Sequence, residues 1–130
     1  MPETTKKIAV LKKRAQFLFV AHGKKASGRF LSLQMRERAA SPMSDANISC
    51  DEIRFGLTAS KKVGNAVSRN RARRRLRAAL TKAIPLYGAA GSDYVAVARP
   101  QTILANWQEL TQDIDNLLKK LSLIKTHISE

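Results

Sequence analysis

The stretch "KKVGNAVSRNRARRRLR", residues 61–77, carries eight positive side chains in seventeen positions and no carboxylate. The apolar residues in and after it keep helical spacing. At about 100° per residue, Ala72, Leu76, Ala79, Leu80 and Ala83 share an arc of about 100°, the width of a core-facing stripe. Counted from Arg69, the residues Asn70, Arg71, Arg73, Arg74, Arg75, Arg77 and Lys82 fill the rest of the circumference. A core cannot wrap such a helix on all sides. Its small residues must lie close on another layer, most simply a sheet, with the cations turned outward. The spacing predicts a helix over 66–84, with Gly64 letting the chain turn, Asn65 as N-cap and Pro85 as the end.

A charged face made only for solubility mixes signs, with acidic and basic residues four apart. Here like charges stack at Arg69–Arg73–Arg77 and at Arg71–Arg74–Arg75. Each such contact costs a few tenths of a kcal/mol. A face that binds phosphates offsets that cost, and arginine suits planar, bidentate phosphate contacts. Lys61, Lys62 and the helix N-terminus beside them add donors.

The charge of the whole chain agrees. The 130 residues carry a formal +14, and residues 53–92 contain no Asp or Glu. An excess of this size points to a polyanion, either nucleic acid or an anionic membrane surface. The membrane reading is disfavoured, because the basic helix lacks the bulky apolar face that interfacial helices insert. A helix-turn-helix DNA reader needs a partner helix just before this one, and a strand is expected there. Folded RNA, read through phosphates, shape and 2′-hydroxyls, suits a broad arginine face better.

The rest of the chain reads as one domain over 8–122, between a flexible basic arm at 1–7 and a flexible tail at 123–130. Residues 8–22 read as a helix with a stripe of Ile8, Leu11, Ala15, Leu18, Phe19 and His22. Phe17, Val20 and Ala21 fall off that stripe, so the helix is either buried on both faces or lines a groove with Phe17. "GRFLSLQM" (28–35) and "EIRFGLTAS" (52–60) alternate as strands, the second with Ile53, Phe55, Leu57 and Ala59 toward a core and Arg54, Gly56, Thr58 and Ser60 away from it. "AASPMSDANISCD" (39–51) reads as a mobile loop and "YVAVA" (94–98) as a buried strand. Residues 102–122 read as one helix, with Thr102 at its start and Ile103, Trp107, Leu110, Ile114, Leu117, Leu118 and Leu121 on one core stripe. The expected class is α+β, a small mixed sheet packed with three helices in the order α-β-β-α-β-α.

Catalytic patterns are missing. His22 and His127 stand far apart, Cys50 is the single cysteine, and no spacing suits a metal, a triad or a phosphate loop. No apolar run approaches the ~20 residues that span a bilayer. The chain is expected in the cytoplasm, as a monomer when free.

At this point the residues resemble a known family. "SKKVGNAVSRNRARRRLR" (60–77) is similar, without gaps, to the RNR motif of the protein subunit of bacterial ribonuclease P. "RAQF" (14–17), "EIRFGLTAS" and "DYVAVAR" (93–99) resemble that family's first-helix and strand elements, so the likeness covers most of residues 10–122. The resemblance implies a left-handed strand–helix–strand crossover through the RNR helix, against the usual right-handed rule. It implies a holoenzyme in which an RNA subunit, with bound Mg²⁺, removes the 5′ leader of precursor tRNA, and in which the protein supplies no catalytic group. Carried over by position, Lys61, Lys62, Arg69, Asn70, Arg71, Arg73, Arg74 and Arg77 would hold the catalytic RNA. Phe17, Thr58 and Arg99, with Arg54 beside them, would line the leader cleft. Two departures stand out: Val20 and Ala21 lie where the family often has a second aromatic residue, and the 39–51 loop is long. A ribosomal or general RNA-binding protein is the other reading.

Overall fold

Five strands form one mixed sheet, with helices on both of its faces. In the computed structural model, which describes residues 8–38 and 52–123, the order is β1 (Ile8–Val10), α1 (Arg14–Ala21), β2 (Lys24–Ser27), β3 (Leu31–Glu37), β4 (Ile53–Thr58), α2 (Ala66–Tyr87), β5 (Ser92–Ala98), α3 (Pro100–Leu104) and α4 (Trp107–Leu123). The arm read at 1–7, the loop at 39–51 with Cys50, and the tail beyond Leu123 with His127 lie outside the described residues. Strands follow the order β1-β4-β5-β3-β2. β1, β4 and β5 are mutually parallel, and β5–β3 and β3–β2 are antiparallel. β4 and β5 are adjacent, parallel and joined through α2, a strand–helix–strand connection compatible with the crossover that the resemblance implies.

Alternation assigns each face. Leu31, Leu33, Met35, Ile53, Phe55, Tyr94, Ala96 and Ala98 turn to one side and are buried against Ala72, Leu76, Ala79, Leu80 and Ala83 of α2 and Leu110, Ile114, Leu117, Leu118 and Leu121 of α4. The stripe read from the arginine stretch is thus the face that α2 buries. Its three alanines let the helix approach the sheet closely. The other face carries Arg54, Gly56 and Thr58 in register with Asp93, Val95 and Val97. There a smaller cluster of Leu11, Val20 and Val95 seats α1.

Several element boundaries differ from the sequence reading. Residues 8–22 are not one helix. Ile8–Val10 pairs with β4, and the helix begins only after Lys13, where the Gln16 side chain accepts from the Lys12 and Lys13 amides at 2.8 and 2.9 Å. Ile8 and Leu11 therefore belong to a different element, and the stripe counted from them loses its phase. Ala15, Leu18 and His22 are exposed, while Val20 is fully buried and Phe17 partly so. The strand β2 carries no sequence signal, because "KKAS" lacks β-branched residues, and pairing with β3 rather than propensity makes it a strand. β3 starts at Leu31 rather than residue 28, since Gly28–Phe30 turn beneath α4, where the Asp113 carboxylate accepts from the Phe30 amide at 2.9 Å.

Pro85 lies inside α2 rather than ending it. Proline removes one amide donor but keeps a helical φ, and the ladder resumes with Gly88 N–H to Ile84 O at 2.8 Å. The helix read at 102–122 is two. Asn106 caps α4, accepting from the Glu109 amide at 2.8 Å, while Pro100 opens α3. Thr102, fully buried, accepts from the Arg99 amide at 3.0 Å and donates to Phe30 O at 2.6 Å. Trp107, read as core, is 39 % exposed.

Candidate nucleic-acid interface

The entry to α2 fixes the cations in space. The 3-10 turn Lys61–Val63 leads into Gly64, whose φ of 142° an L side chain rarely adopts. Asn65 then caps the helix, its Oδ1 accepting from the Ser68 amide at 2.9 Å. Lys61 and Lys62 stand exposed in that turn. Asn70, Arg71, Arg74 and Arg77 are exposed along the helix, and Arg69 and Arg73 are partly buried. Arg69 donates to Gly64 O at 3.0 Å. A guanidinium has five N–H donors, so one such bond leaves most of them for another acceptor.

Arg75 separates from this group. It donates to the carbonyls of Thr102, Ile103 and Ala105 at 2.6, 2.7 and 2.6 Å. It therefore satisfies the C-terminal carbonyls of α3 and ties that helix to α2.

Arg73 goes the other way. With Phe17, Thr58, Val97, Lys12 and Arg14, it lines a cavity of about 550 Å³ at the end of β4. The cavity exists because β1 stops early. Its pairing with β4 ends at Val10–Phe55, so the edge of β4 beyond Phe55 has no strand beside it among the described residues. The groove is apolar along Phe17 and Val97 and cationic at its rim.

Phe17 sits there because of Gly56. A Cβ on Gly56 would lie 2.6 Å from two atoms of the Phe17 ring and 3.1 Å from the Leu11 Cβ. Glycine lets the ring rest directly on the strand. Arg36 holds α1 at that height, donating to Phe19 O at 3.1 Å with its guanidinium 4.3 Å from the Phe19 ring centroid. Sequence reasoning missed Gly56, Lys12, Arg14 and Val97. A glycine inside an alternating strand was the available signal, since it marks close approach by another group.

The four expected cleft residues do not all meet. Phe17 and Thr58 share the cavity. Arg99 sits on the same sheet face but farther across, donating to Gly28 O at 2.9 Å and Ser32 Oγ at 2.7 Å, with Ser32 opposite Val97 and Val97 opposite Thr58. Arg54 does not line the cavity. It binds the fully buried Asp93 carboxylate through Nε at 2.9 Å and Nη2 at 2.5 Å, and Arg38 meets the same carboxylate at 2.7 Å. From sequence, an arginine on an otherwise open strand face reads as a ligand. The buried carboxylate opposite it in register makes it a structural ion pair instead.

Among the described residues, no group of three or more His, Cys, Asp or Glu is placed to hold a metal ion. No helix among the described residues is long and apolar enough to cross a membrane.

Comparison with known proteins gives one consistent result. The Ribonuclease P family model matches residues 5–122. The ribonuclease P protein component of Paramagnetospirillum magneticum is 45 % identical over 122 residues, covering 92 % of this chain and 88 % of the relative. That of Ruegeria pomeroyi is 41 % identical, covering 88 % and 86 %. Among solved structures, the RNase P protein of Staphylococcus aureus superposes with a TM-score of 0.68 at 22 % identity, covering 89 % of this chain and 97 % of that one. The Thermotoga maritima protein gives 0.66 at 23 %, covering 85 % and 94 %. These two share the fold. The chain, by its family match and its sequence identity to those relatives, belongs to the ribonuclease P protein component family.

Proposed function

We propose that this chain is the cytoplasmic protein subunit of ribonuclease P, a monomer until it joins the RNA subunit and precursor tRNA. Lys61, Lys62, Arg69, Asn70, Arg71, Arg74 and Arg77 hold the catalytic RNA through its phosphates. The groove along Phe17, Thr58 and Val97 takes the single-stranded 5′ leader, with Arg99 farther along the same face. The RNA holds the Mg²⁺ and carries out the hydrolysis that frees the mature tRNA 5′ end. The protein positions the two nucleic acids. An apolar, aromatic floor with cations at its rim suits bases and phosphates without reading sequence.

The observation that carries this reading is the position of Arg73. It springs from the arginine helix yet lines the cavity with Phe17 and Thr58. The helix face and the groove are thereby one continuous cationic surface, as a leader running out from a bound RNA complex requires. Arg73 then serves both nucleic acids.

The test is a binding comparison on Phe17→Ala and Arg73→Ala in the reconstituted holoenzyme. Phe17→Ala should weaken precursor tRNA with a leader about tenfold, the worth of one stacked base, and leave mature tRNA unaffected. Arg73→Ala should weaken both leader binding and assembly with the catalytic RNA, lowering the salt slope by about 1. Equal losses for precursor and mature tRNA in Phe17→Ala would remove the leader from this groove.

A further inference from the structure

The exposed tryptophan at the α3–α4 corner has no role in the groove. Trp107 is 39 % exposed and Leu104, three residues before it, is 82 % exposed. Two tie points set where they stand. Arg75 binds the carbonyls at the end of α3, and Lys119 of α4 lies 4.7 Å from the Tyr87 ring centroid at the end of α2. From Arg75 to Tyr87 and from Trp107 to Lys119 are both twelve residues, about 18 Å of helix. The two helices therefore run side by side in the same direction, and Trp107 follows by two residues the Ala105 carbonyl that Arg75 binds. Helical side chains lean toward their N-terminus, which directs this corner toward the level of Arg71.

On α2 itself, Arg71 and Lys82 flank Arg75 on that side, and Arg74 lies beyond them, all three exposed. The groove with Phe17 opens on the opposite flank, where Arg73 points. Phe17 thus borders the arginine face on one flank, and on the other lies the α3–α4 corner that Arg75 ties to α2. A tryptophan beside a row of cations is chemically a seat for a nucleobase whose phosphates the cations hold.

We propose that Leu104 and Trp107 form a second base-docking platform, on which an unpaired base of the RNA held by α2 stacks. The inference rests on the reading of α2 as an RNA-binding helix. Trp107 is the only tryptophan in the chain, so its emission reports on this site alone.

The full chain is titrated with its cognate ribonuclease P RNA, without tRNA. Trp107 emission should be quenched at saturation. Trp107→Ala should bind that RNA about tenfold more weakly with an unchanged salt slope, because no charge is lost, and Trp107→Phe should recover most of the affinity. Unaltered emission of the unsubstituted protein at saturating RNA overturns the platform, and so does a folded Trp107→Ala with full affinity. The emission test does not depend on how well the variant folds. Arg71→Ala and Arg74→Ala run in parallel separate the two readings. If they weaken binding while Trp107 proves indifferent, only the platform fails; if they too bind fully, the RNA reading of α2 fails with it.

Discussion

Gly56 shows how one missing side chain shapes the site. Any Cβ there would drive into the Phe17 ring at 2.6 Å, and α1 is held in place by Arg36 on Phe19 and by Val20 in its own small core. The ring rather than the helix must give way. Gly56→Ala should cost about 1–3 kcal/mol of stability by overpacking, read in urea denaturation, and should lower leader affinity as much as Phe17→Ala does. A variant with native stability and leader binding would show that the ring's seat is unimportant. Sequence alternation placed Gly56 and Thr58 on one face correctly but could not say what covered it. It also misread Arg54, because a cation's partner across a sheet depends on register, and Asp93 is 39 residues away in the chain.

The arginine helix was the most legible element, because its phase is set by five apolar residues within one segment. Its N-cap and core stripe follow from sequence alone. Elsewhere long-range pairing overrode local signals: β1 and β2 exist because partners are available, and Asn106 breaks a periodicity that runs smoothly through 103–121. Trp107 keeps its place on that stripe yet stays 39 % exposed. The cost of α2's like charges gives an element-scale prediction. Arg74 has Arg71 three residues before it and Arg77 three after, all exposed. Arg74→Gln relieves both contacts, so the free protein should gain about 0.5 kcal/mol in low salt, seen as a higher thermal midpoint, while its RNA affinity falls. A loss of stability would mean that the arginines serve the fold rather than a partner.

At the scale of the molecule, charge is divided between two jobs. Arg38, Arg54 and Arg75 are turned inward to carbonyls and a buried carboxylate, and the cations of α2 and the groove rim face outward. Net charge alone could not separate these, since both kinds enter the same +14. Sequence resemblance named the expected partner, and in the fold Arg73 of the arginine helix also lines the groove. The central claim is that this protein holds and orients RNA while the RNA performs the cleavage. The most direct measurement follows 5′-leader release from precursor tRNA at limiting Mg²⁺, with protein alone, cognate RNA alone and the two together. The account predicts no release by protein alone, slow release by RNA, and faster Mg²⁺-dependent release by the pair. Leader removal by RNA-free protein, or a pair no faster than the RNA, would contradict it.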